Sequence, residues 1–233
     1  GDVYKRQVTT MHEYVEIGKG REARAAYDLH DLSLVPARRT RSSKVVDTTW
    51  HIDAYSFDVP LVSHPTDALA SPEFVIEMGK QGGLGVLNAE GLLGRHASFS
   101  DAVKRVIGAA SIEWDDLESL LKSQSDATAI LQELHQAPLD MDLFAEHMAR
   151  VRDSGATVAV RVSPQNAREL APQLVKAGAE LLFIQGTIIS AEHVQQGGEP
   201  LNLKEFIGTL DVPVIAGGVF DYSTAMHLML SLI

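Results

Sequence analysis

The amino-acid sequence predicts an α/β protein whose core is a parallel β-sheet. Short apolar runs, typical of buried strands, alternate with segments in which apolar residues recur at helical spacing. Such alternation indicates βαβ units and therefore parallel strands. Each apolar run is followed by a polar or glycine-rich loop. About five strands are expected, at residues 55–63, 84–87, 157–162, 181–184 and 212–215.

The helices between these strands have recognisable ends. One helix is predicted to begin after Ser71, which would act as N-cap, with Pro72 in the first helical position, and to end at Gly82. Gly155 and Gly178 stand where C-terminal caps are expected for two later helices. The other predicted helices lie at residues 91–140, 141–153, 165–176 and 202–210 and after residue 218.

The composition limits the classes of function that are expected for this chain. The chain has 233 residues, 45% of them hydrophobic, and a net charge of -11, so a nucleic-acid partner is not expected. It has no cysteine, which excludes disulfides, thiolate metal sites and a thiol nucleophile within it. No metal site is predicted. No apolar run reaches the roughly 20 residues of a membrane helix, and residues 1–20 lack a signal peptide. A cytoplasmic protein without a membrane partner is therefore predicted.

The first residues differ in character from the rest. The chain begins with Gly1, and Met11 is a plausible natural start. Residues 1–10 are therefore predicted to be a non-native leader and are excluded from the interpretation of the fold. Residues 11–233 are expected to belong to a single domain. The basic cluster Arg38-Arg39-Thr40-Arg41 is interpreted as a solvated loop rather than a phosphate site.

Polar loops follow the predicted strands at the places where α/β folds position their chemistry. The carboxyl ends of parallel strands meet at one edge of the sheet. Serine and threonine hydroxyls lie in these loops, and together with the glycine pairs Gly82-Gly83 and Gly217-Gly218 they suit a pocket for a phosphate or a planar ring. Taken singly, each glycine pair is better explained by tight turning alone. The loops are residues 63–67, 88–91, 161–164, 185–187 and 217–218.

Four stretches resemble one known family. They are HDLSLVPARRTRSS, DVPLVSHPTDALASPEFVIEMGKQGGLGVLN, AGAELLFIQGT and DVPVIAGGV, in that order. Their order and spacing resemble the IMP dehydrogenase / GMP reductase family, in particular the paralogue group that lacks the CBS-domain insert. The resemblance implies a (β/α)8 TIM barrel. The chain would supply barrel strands one to five and stop in the helix after the fifth, so it is expected to be a fragment of a longer reading frame.

The resemblance also implies a function. The family transfers a hydride between a nicotinamide cofactor and C2 of a purine nucleotide (IMP, XMP or GMP), as in GMP biosynthesis, and holds the purine on a cysteine thiolate. That cysteine would lie beyond residue 233, so no catalytic residue is assigned and the chain alone is expected to be inactive. The complete protein is expected to bind NAD or NADP and to form a homo-oligomer.

The family's binding positions can be carried over one at a time. The cofactor loop after the fourth barrel strand corresponds to Gln185, Gly186 and Thr187, where Gln185 replaces the family's aspartate. The neutral amide lacks the carboxylate's charge but can still donate and accept hydrogen bonds. The nucleotide-binding positions correspond to Ser63, His64, Thr66, Asp67, Gly217 and Gly218.

Three of the nucleotide-binding positions depart from the family pattern or leave two interpretations open. Thr66 stands in place of the family's methionine, and Gly218 in place of its asparagine. His64 would contact the purine nucleotide or hold its own loop, and the sequence favours neither.

Two alternative functions remain open. Flavin-dependent nitronate monooxygenase barrels, which bind FMN, carry a similar pattern to Pro60 followed by Gly82-Gly83-Leu84-Gly85, although the segment DLSLVP at residues 31–36 argues against them. A non-catalytic paralogue that binds a purine nucleotide is the other alternative. Gln185 and Gly218 favour it, because both replace polar groups that the family uses.

Overall fold

The computed structural model describes residues 14–25, 27, 29–35, 42–110, 117–186, 192–193, 201–219 and 221–231. They divide into two compact units, Gly1–Asp47 and Thr48–Ile233. The predicted leader at residues 1–10, the start at Met11 and the basic cluster at residues 38–41 lie outside the described residues. In the first unit, β1 and β2 form an antiparallel hairpin that the sequence did not predict.

The strands are β1 (Tyr14–Gly18), β2 (Arg21–Arg24), β3 (Trp50–Ile52), β4 (Tyr55–Phe57), β5 (Val86–Asn88), β6 (Ala159–Val162), β7 (Leu181–Gln185), β8 (Glu192–His193), β9 (Leu201–Asn202) and β10 (Val214–Gly217). The α-helices are α1 (Pro72–Lys80), α2 (Phe99–Ala109), α3 (Leu117–His135), α4 (Met141–Asp153), α5 (Ala167–Lys176), α6 (Leu203–Ile207) and α7 (Tyr222–Ser231). Short 3-10 turns lie at Leu29–Asp31, Ser43–Val45 and Leu92–Gly94.

The second unit is built on a four-stranded sheet in the order β5-β6-β7-β10. All neighbouring strands in this sheet are parallel, which confirms the predicted α/β class with a parallel sheet. Helices connect most of the strands, as the alternation in the sequence predicts. The segment between β5 and α4 forms a 3-10 turn and the two helices α2 and α3 in its described part.

The first predicted strand, residues 55–63, is largely wrong. Only β4 is a strand, and it pairs with β3 in an antiparallel hairpin. Val62 contributes a single parallel bridge to Leu84. Pro60 has no N–H to donate, and the N–H of Leu61 bonds back to the carbonyl of Val59 at 2.8 Å. The chain therefore turns at Pro60 and reaches the sheet edge only after it.

The predicted helix ends are confirmed. The Ser71 hydroxyl accepts a hydrogen bond from the N–H of Phe74 at 3.2 Å, and Pro72 occupies the first helical position. Gly82 adopts φ +80 after α1, and Gly155 and Gly178 have positive φ after α4 and α5. Helix α4 has the predicted bounds. No helix among the described residues is both long and apolar enough to cross a membrane.

The sheet separates two apolar clusters. On the face covered by α4 and α5, buried strand residues such as Val160 and Leu182 pack with Phe144 and Met148. On the opposite face, Val86, Ala159 and Leu181 pack against Phe57 and Leu84. The hairpin of β3 and β4 thus covers the amino half of this second face. The carboxyl half of the same sheet face remains accessible and forms the floor of a cleft.

A partly buried histidine on α4 predicts a pH-dependent stability. The Nε2 atom of His147 is buried without a hydrogen-bond partner in the described part of the chain. Burial, and then the positive charge of Arg150, lower the pKa of His147 below its ordinary value, although Glu73 and Glu146 oppose the shift. Below about pH 6.5 the unfolded chain therefore takes up a proton more readily than the folded protein, so stability is complete above this pH and declines below it. We expect the melting temperature of His147→Gln to fall less than that of the parent between pH 7.5 and 5.5, measured by differential scanning fluorimetry. Parallel curves would contradict the assignment.

Candidate functional site

A cleft lies at the carboxyl ends of the parallel strands. It consists of an apolar chamber of about 290 Å³ and a polar chamber of about 440 Å³, which share His64, Pro65 and Gln185. Val62, Phe183 and Ile215 supply apolar walls of the first chamber. All described candidate residues line one chamber or both: Ser63, His64, Thr66, Asp67, Gln185, Gly186, Gly217 and Gly218. Thr187 lies outside the described residues.

Strand register explains why these side chains meet. Asn88 pairs with Arg161, and Arg161 pairs with Phe183, so they lie in one row across the sheet. Because side chains alternate along a strand, Gln185 points to the same face as Phe183, two residues earlier. Gln185 is paired with Gly217 in turn. The cleft floor is therefore formed by consecutive rows of the face opposite α4 and α5.

Ser63 is fixed by the sheet. Its backbone N–H donates to the carbonyl of Leu84 at 2.9 Å, and its hydroxyl oxygen accepts from the N–H of Val86 at 2.9 Å. The residue is 8% exposed. In a continued parallel ladder, the N–H of Val86 would donate to a backbone carbonyl. Here the Ser63 hydroxyl accepts that hydrogen bond instead. This contact anchors the loop that follows and places His64 at the junction of the two chambers.

His64 and Thr66 lie in a tight turn of this loop. The N–H of Thr66 donates to the carbonyl of His64 at 2.9 Å, and the carbonyl of Thr66 accepts from Ala70 at 2.8 Å. His64 is exposed, and its imidazole makes no hydrogen bond to the described residues. The contacts seen here therefore do not support the interpretation of His64 as a histidine that holds its own loop.

Asp67 connects this loop to two other segments. One carboxylate oxygen accepts from the N–H of Leu92 at 3.0 Å, and the other lies 3.3 Å from Nε2 of His135 at the end of α3. A Cβ at position 91 would lie 1.9 Å from Oδ1 of Asp67, so only glycine fits there. His135, which the sequence analysis missed, also donates from Nδ1 to the carbonyl of Leu131 at 2.9 Å.

Arg161, which lines the polar chamber, belongs to an ion pair that the sequence analysis also missed. Nη1 of Arg161 donates to Oε2 of Glu90 at 3.1 Å, and the two side chains are 22% and 13% exposed. The carboxylate of Glu90 also accepts from the hydroxyl of Ser163 at 2.7 Å, from the N–H of Ser163 and from the amide of Asn166. Glu90 therefore joins the loops after β5 and β6. An arginine within the apolar run VAVRV was the available sequence signal.

The glycine-rich ends of β7 and β10 are joined by backbone hydrogen bonds. The N–H of Gly186 donates to the carbonyl of Gly217, and the N–H of Gly218 donates to the carbonyl of Gly186, both at 3.0 Å. Nη2 of Arg161 donates to the carbonyl of Gln185 at 2.9 Å. A Cβ built on Gly217 would meet no atom within 4 Å. The backbone here is open to the cleft, and a flat group could lie against it.

The cleft offers hydrogen-bond donors and acceptors beside an apolar wall, an arrangement suited to binding a ligand with a planar ring and a polar part. Among the described residues, no group of three or more His, Asp or Glu side chains is placed to hold a metal ion. Hydroxyl nucleophiles need an adjacent base, and the hydroxyl of Ser63 is engaged with the sheet.

Comparison with known proteins agrees with this geometry. Residues 26–231 match the IMP dehydrogenase / GMP reductase domain. An uncharacterized oxidoreductase of Mycolicibacterium smegmatis is 59% identical over 215 residues, which cover 92% of this chain and 55% of that protein. An uncharacterized oxidoreductase of Mycobacterium leprae is 58% identical over the same shares.

A solved structure is similar as well. The IMP dehydrogenase/GMP reductase-like protein from Corynebacterium glutamicum superimposes with a TM-score of 0.84 and is 64% identical, covering 95% of this chain and 56% of that one. The chain thus spans about half the length of the relatives that it matches. It belongs to the IMP dehydrogenase / GMP reductase family.

Proposed function

We propose that the protein is an NAD(P)-linked oxidoreductase that transfers a hydride to or from C2 of a purine nucleotide such as IMP, XMP or GMP. The observation that carries this proposal is that every described residue matched to the family's binding positions lines one cleft. The names of the two curated relatives, both uncharacterized oxidoreductases, support the reaction class. We also propose that the four-stranded sheet is part of a (β/α)8 barrel, whose strand ends would complete the cleft.

The two chambers suggest how a ligand lies. In this proposal a planar ring occupies the apolar chamber, between Phe183, Ile215 and the backbone at Gly217. The polar part of the ligand occupies the other chamber, beside Asp67 and Arg161. His64 lies at the junction of the chambers and would contact the ring or the sugar.

The residues fit a nicotinamide cofactor. Gln185, a cofactor position, lines both chambers, so its side chain is accessible to a cofactor that lies in either. A nicotinamide, when bound, accepts or supplies a hydride. Gln185 would orient the cofactor through its amide, and Gly186 would allow close approach of the backbone. The choice between NAD and NADP, the homo-oligomeric state and the cytoplasmic location stay predictions.

The covalent step is proposed to lie outside these 233 residues. The sequence contains no cysteine, and a thiolate is the nucleophile that the family resemblance implies. In this proposal the described residues bind and orient the purine nucleotide, while a cysteine elsewhere in the protein attacks C2. Changing that cysteine to alanine should abolish turnover while nucleotide binding survives.

The test is a kinetic assay on the protein from the complete reading frame. We expect absorbance changes at 340 nm when the protein is mixed with IMP and NAD or NADP, or with GMP and NADPH. The 233-residue chain alone should show neither reaction. Absence of turnover in the complete protein, together with absence of nucleotide binding by calorimetry, would overturn the proposed function.

A substitution at Gln185 tests its place in the cofactor site. Because a carboxylate accepts hydrogen bonds from hydroxyls more strongly than an amide does, Gln185→Asp should lower the Kd for NAD or NADP or raise turnover. Gln185→Asn is the matched control, since it has the same length as aspartate without the charge. Equal Kd values and turnover for all three proteins would show that residue 185 lies outside the cofactor site.

A second candidate function is a nucleotide-binding protein without catalysis. Gln185 and Gly218 favour it, because they replace an acidic residue and an asparagine that the family resemblance leads us to expect. This candidate predicts that the complete protein binds a purine nucleotide, with no hydride transfer for any nicotinamide cofactor. A complete sequence without the expected cysteine would favour this candidate over the enzyme.

A further inference from the structure

Arg161 is held in the polar chamber by two segments of the chain, the end of β5 with the loop after it and the end of β7. Nη1 contacts Oδ1 of Asn88 at 3.4 Å and Oε2 of Glu90 at 3.1 Å, and Nη2 contacts the carbonyl of Gln185 at 2.9 Å. The side chain is only 22% exposed, yet it lines the polar chamber. The guanidinium is therefore fixed in place before any ligand arrives.

Two N–H groups of this guanidinium have no hydrogen-bond partner among the described residues. It carries five N–H groups in a fixed plane. The contacts above use two on Nη1 and one on Nη2. The Nε–H and the second N–H on Nη2 make no hydrogen bond to any described residue. Because Arg161 lines the polar chamber, these two N–H groups are available to an accepting atom of a ligand that occupies it.

The charge of Arg161 is already balanced. Glu90 forms an ion pair with it and is itself held by Ser163 and Asn166. Asp67, an acid, lines the same chamber. A phosphate would be repelled by Asp67 and would meet no uncompensated positive charge in the chamber. The chamber therefore favours an uncharged oxygen against Arg161.

The side chains that line the polar chamber also include hydrogen-bond acceptors and groups that both donate and accept. Asp67 accepts hydrogen bonds, and the side-chain amides of Asn88 and Gln185 donate and accept. A hydroxyl is the uncharged group that donates and accepts at one oxygen. Vicinal hydroxyls can meet a donor such as Arg161 and an acceptor such as Asp67 at the same time. A ribose supplies such a pair.

We propose that Arg161 is a specificity-determining residue that recognises a ribose hydroxyl in the polar chamber, so that the site selects ribonucleotides over their 2′-deoxy counterparts. The inference rests on the proposed function, because it takes the ligand to be a nucleotide. The ribose can come from the purine nucleotide or from the nicotinamide half of the cofactor. The chemistry is the same, and the experiment distinguishes the sources.

The experiment measures Kd by calorimetry for matched pairs of ligands with the protein from the complete reading frame. One pair is IMP and 2′-deoxy-IMP, and the other is NAD and its analogue with 2′-deoxyribose on the nicotinamide. The parent protein should prefer the ribose form about 10-fold or more in one pair, as expected for a hydrogen bond to a charged group. Arg161→Lys keeps the charge beside Glu90 but loses the planar fork of donors, and its preference should fall towards 1.

Two further variants serve as controls for the effect of charge and for the effect of an arginine substitution elsewhere. The double variant Glu90→Gln with Arg161→Gln removes both charges together and should lose the preference as well. Arg105→Lys, in an exposed pair with Glu133, should keep the parent's ratio. Melting curves of all variants identify any that do not fold, and the ratio is read from those that do.

The outcomes separate the inference from the proposed function. A lost preference in the IMP pair supports recognition of the nucleotide ribose, and a lost preference in the NAD pair supports recognition of the cofactor ribose. Equal ratios for the parent and Arg161→Lys in both pairs overturn the inference while nucleotide binding still stands. No binding of any of the four ligands by the parent overturns the proposed function and the inference with it.

Discussion

Glu90→Leu should lower the free energy of unfolding by about 3 kcal/mol, at the lower end of the range for breaking a buried ion pair because the pair retains some exposure. The substitution leaves Arg161 with an uncompensated charge and deprives Ser163 and Asn166 of their acceptor. For a protein of this size, the loss corresponds to a decrease in melting temperature of about 6–12 °C. Differential scanning calorimetry of both proteins in the same buffer measures it.

The chain contains a matched control for this prediction. Glu133 pairs with Arg105 at 2.9 Å, but the two side chains are 61% and 49% exposed. An exposed pair contributes about 0–1 kcal/mol, so Glu133→Leu should change the melting temperature by no more than a few degrees. The same change of residue type is thus compared in two environments. Equal decreases for the two variants would show that the Glu90 network does not stabilise the strand-end loops.

Phe144→Ala should lower the free energy of unfolding by about 3–5 kcal/mol, as expected when a large buried ring is truncated. Phe144 is 0% exposed and lies on α4 within the larger apolar cluster. It also supports the 3-10 turn beside the polar chamber, because a Cβ at Gly94 would lie 3.4 Å from its ring and its Cβ. Alanine is a good helix former, so the loss reflects packing rather than helix propensity.

Urea unfolding followed by circular dichroism tests the second prediction. Phe74→Ala on α1 is the control, since Phe74 is 36% exposed and loses fewer contacts. We expect the midpoint for Phe144→Ala to fall well below that for Phe74→Ala, with a similar slope against denaturant. A midpoint shift for Phe144→Ala no greater than that for the control would contradict the packing described for α4.

The elements that the sequence predicts well are those with local signals. The start of α1 follows from Ser71 and Pro72, and its end follows from Gly82, because caps and positive φ depend on the residue itself. The first predicted strand was wrong because an apolar run does not reveal its partner. Pro60 divides that run into a hairpin strand and a single bridge, and only the neighbouring chain decides where each part pairs.

The candidate site likewise has features that the sequence predicts and features that only the structure shows. Placing the candidates at the ends of parallel strands brought Asp67, Gln185 and Gly217 to one cleft, since this rule depends only on strand direction. The pairs Glu90–Arg161 and Asp67–His135 were not predicted. Their members are 71 and 68 positions apart, and both contacts depend on strand register and on where α3 ends. Such distances are set by tertiary packing, which a single sequence does not record.

The contact between Arg161 and residue 185 has a consequence for protein engineering. Arg161 binds the main-chain carbonyl of Gln185 and not its amide. Every amino acid has that carbonyl, so the loop keeps its anchor whichever side chain stands at position 185. A library of all substitutions at this codon should therefore vary in ligand preference much more than in folding yield. Position 185 is a place where evolution, or a laboratory selection, can change what the cleft accepts without rebuilding the cleft.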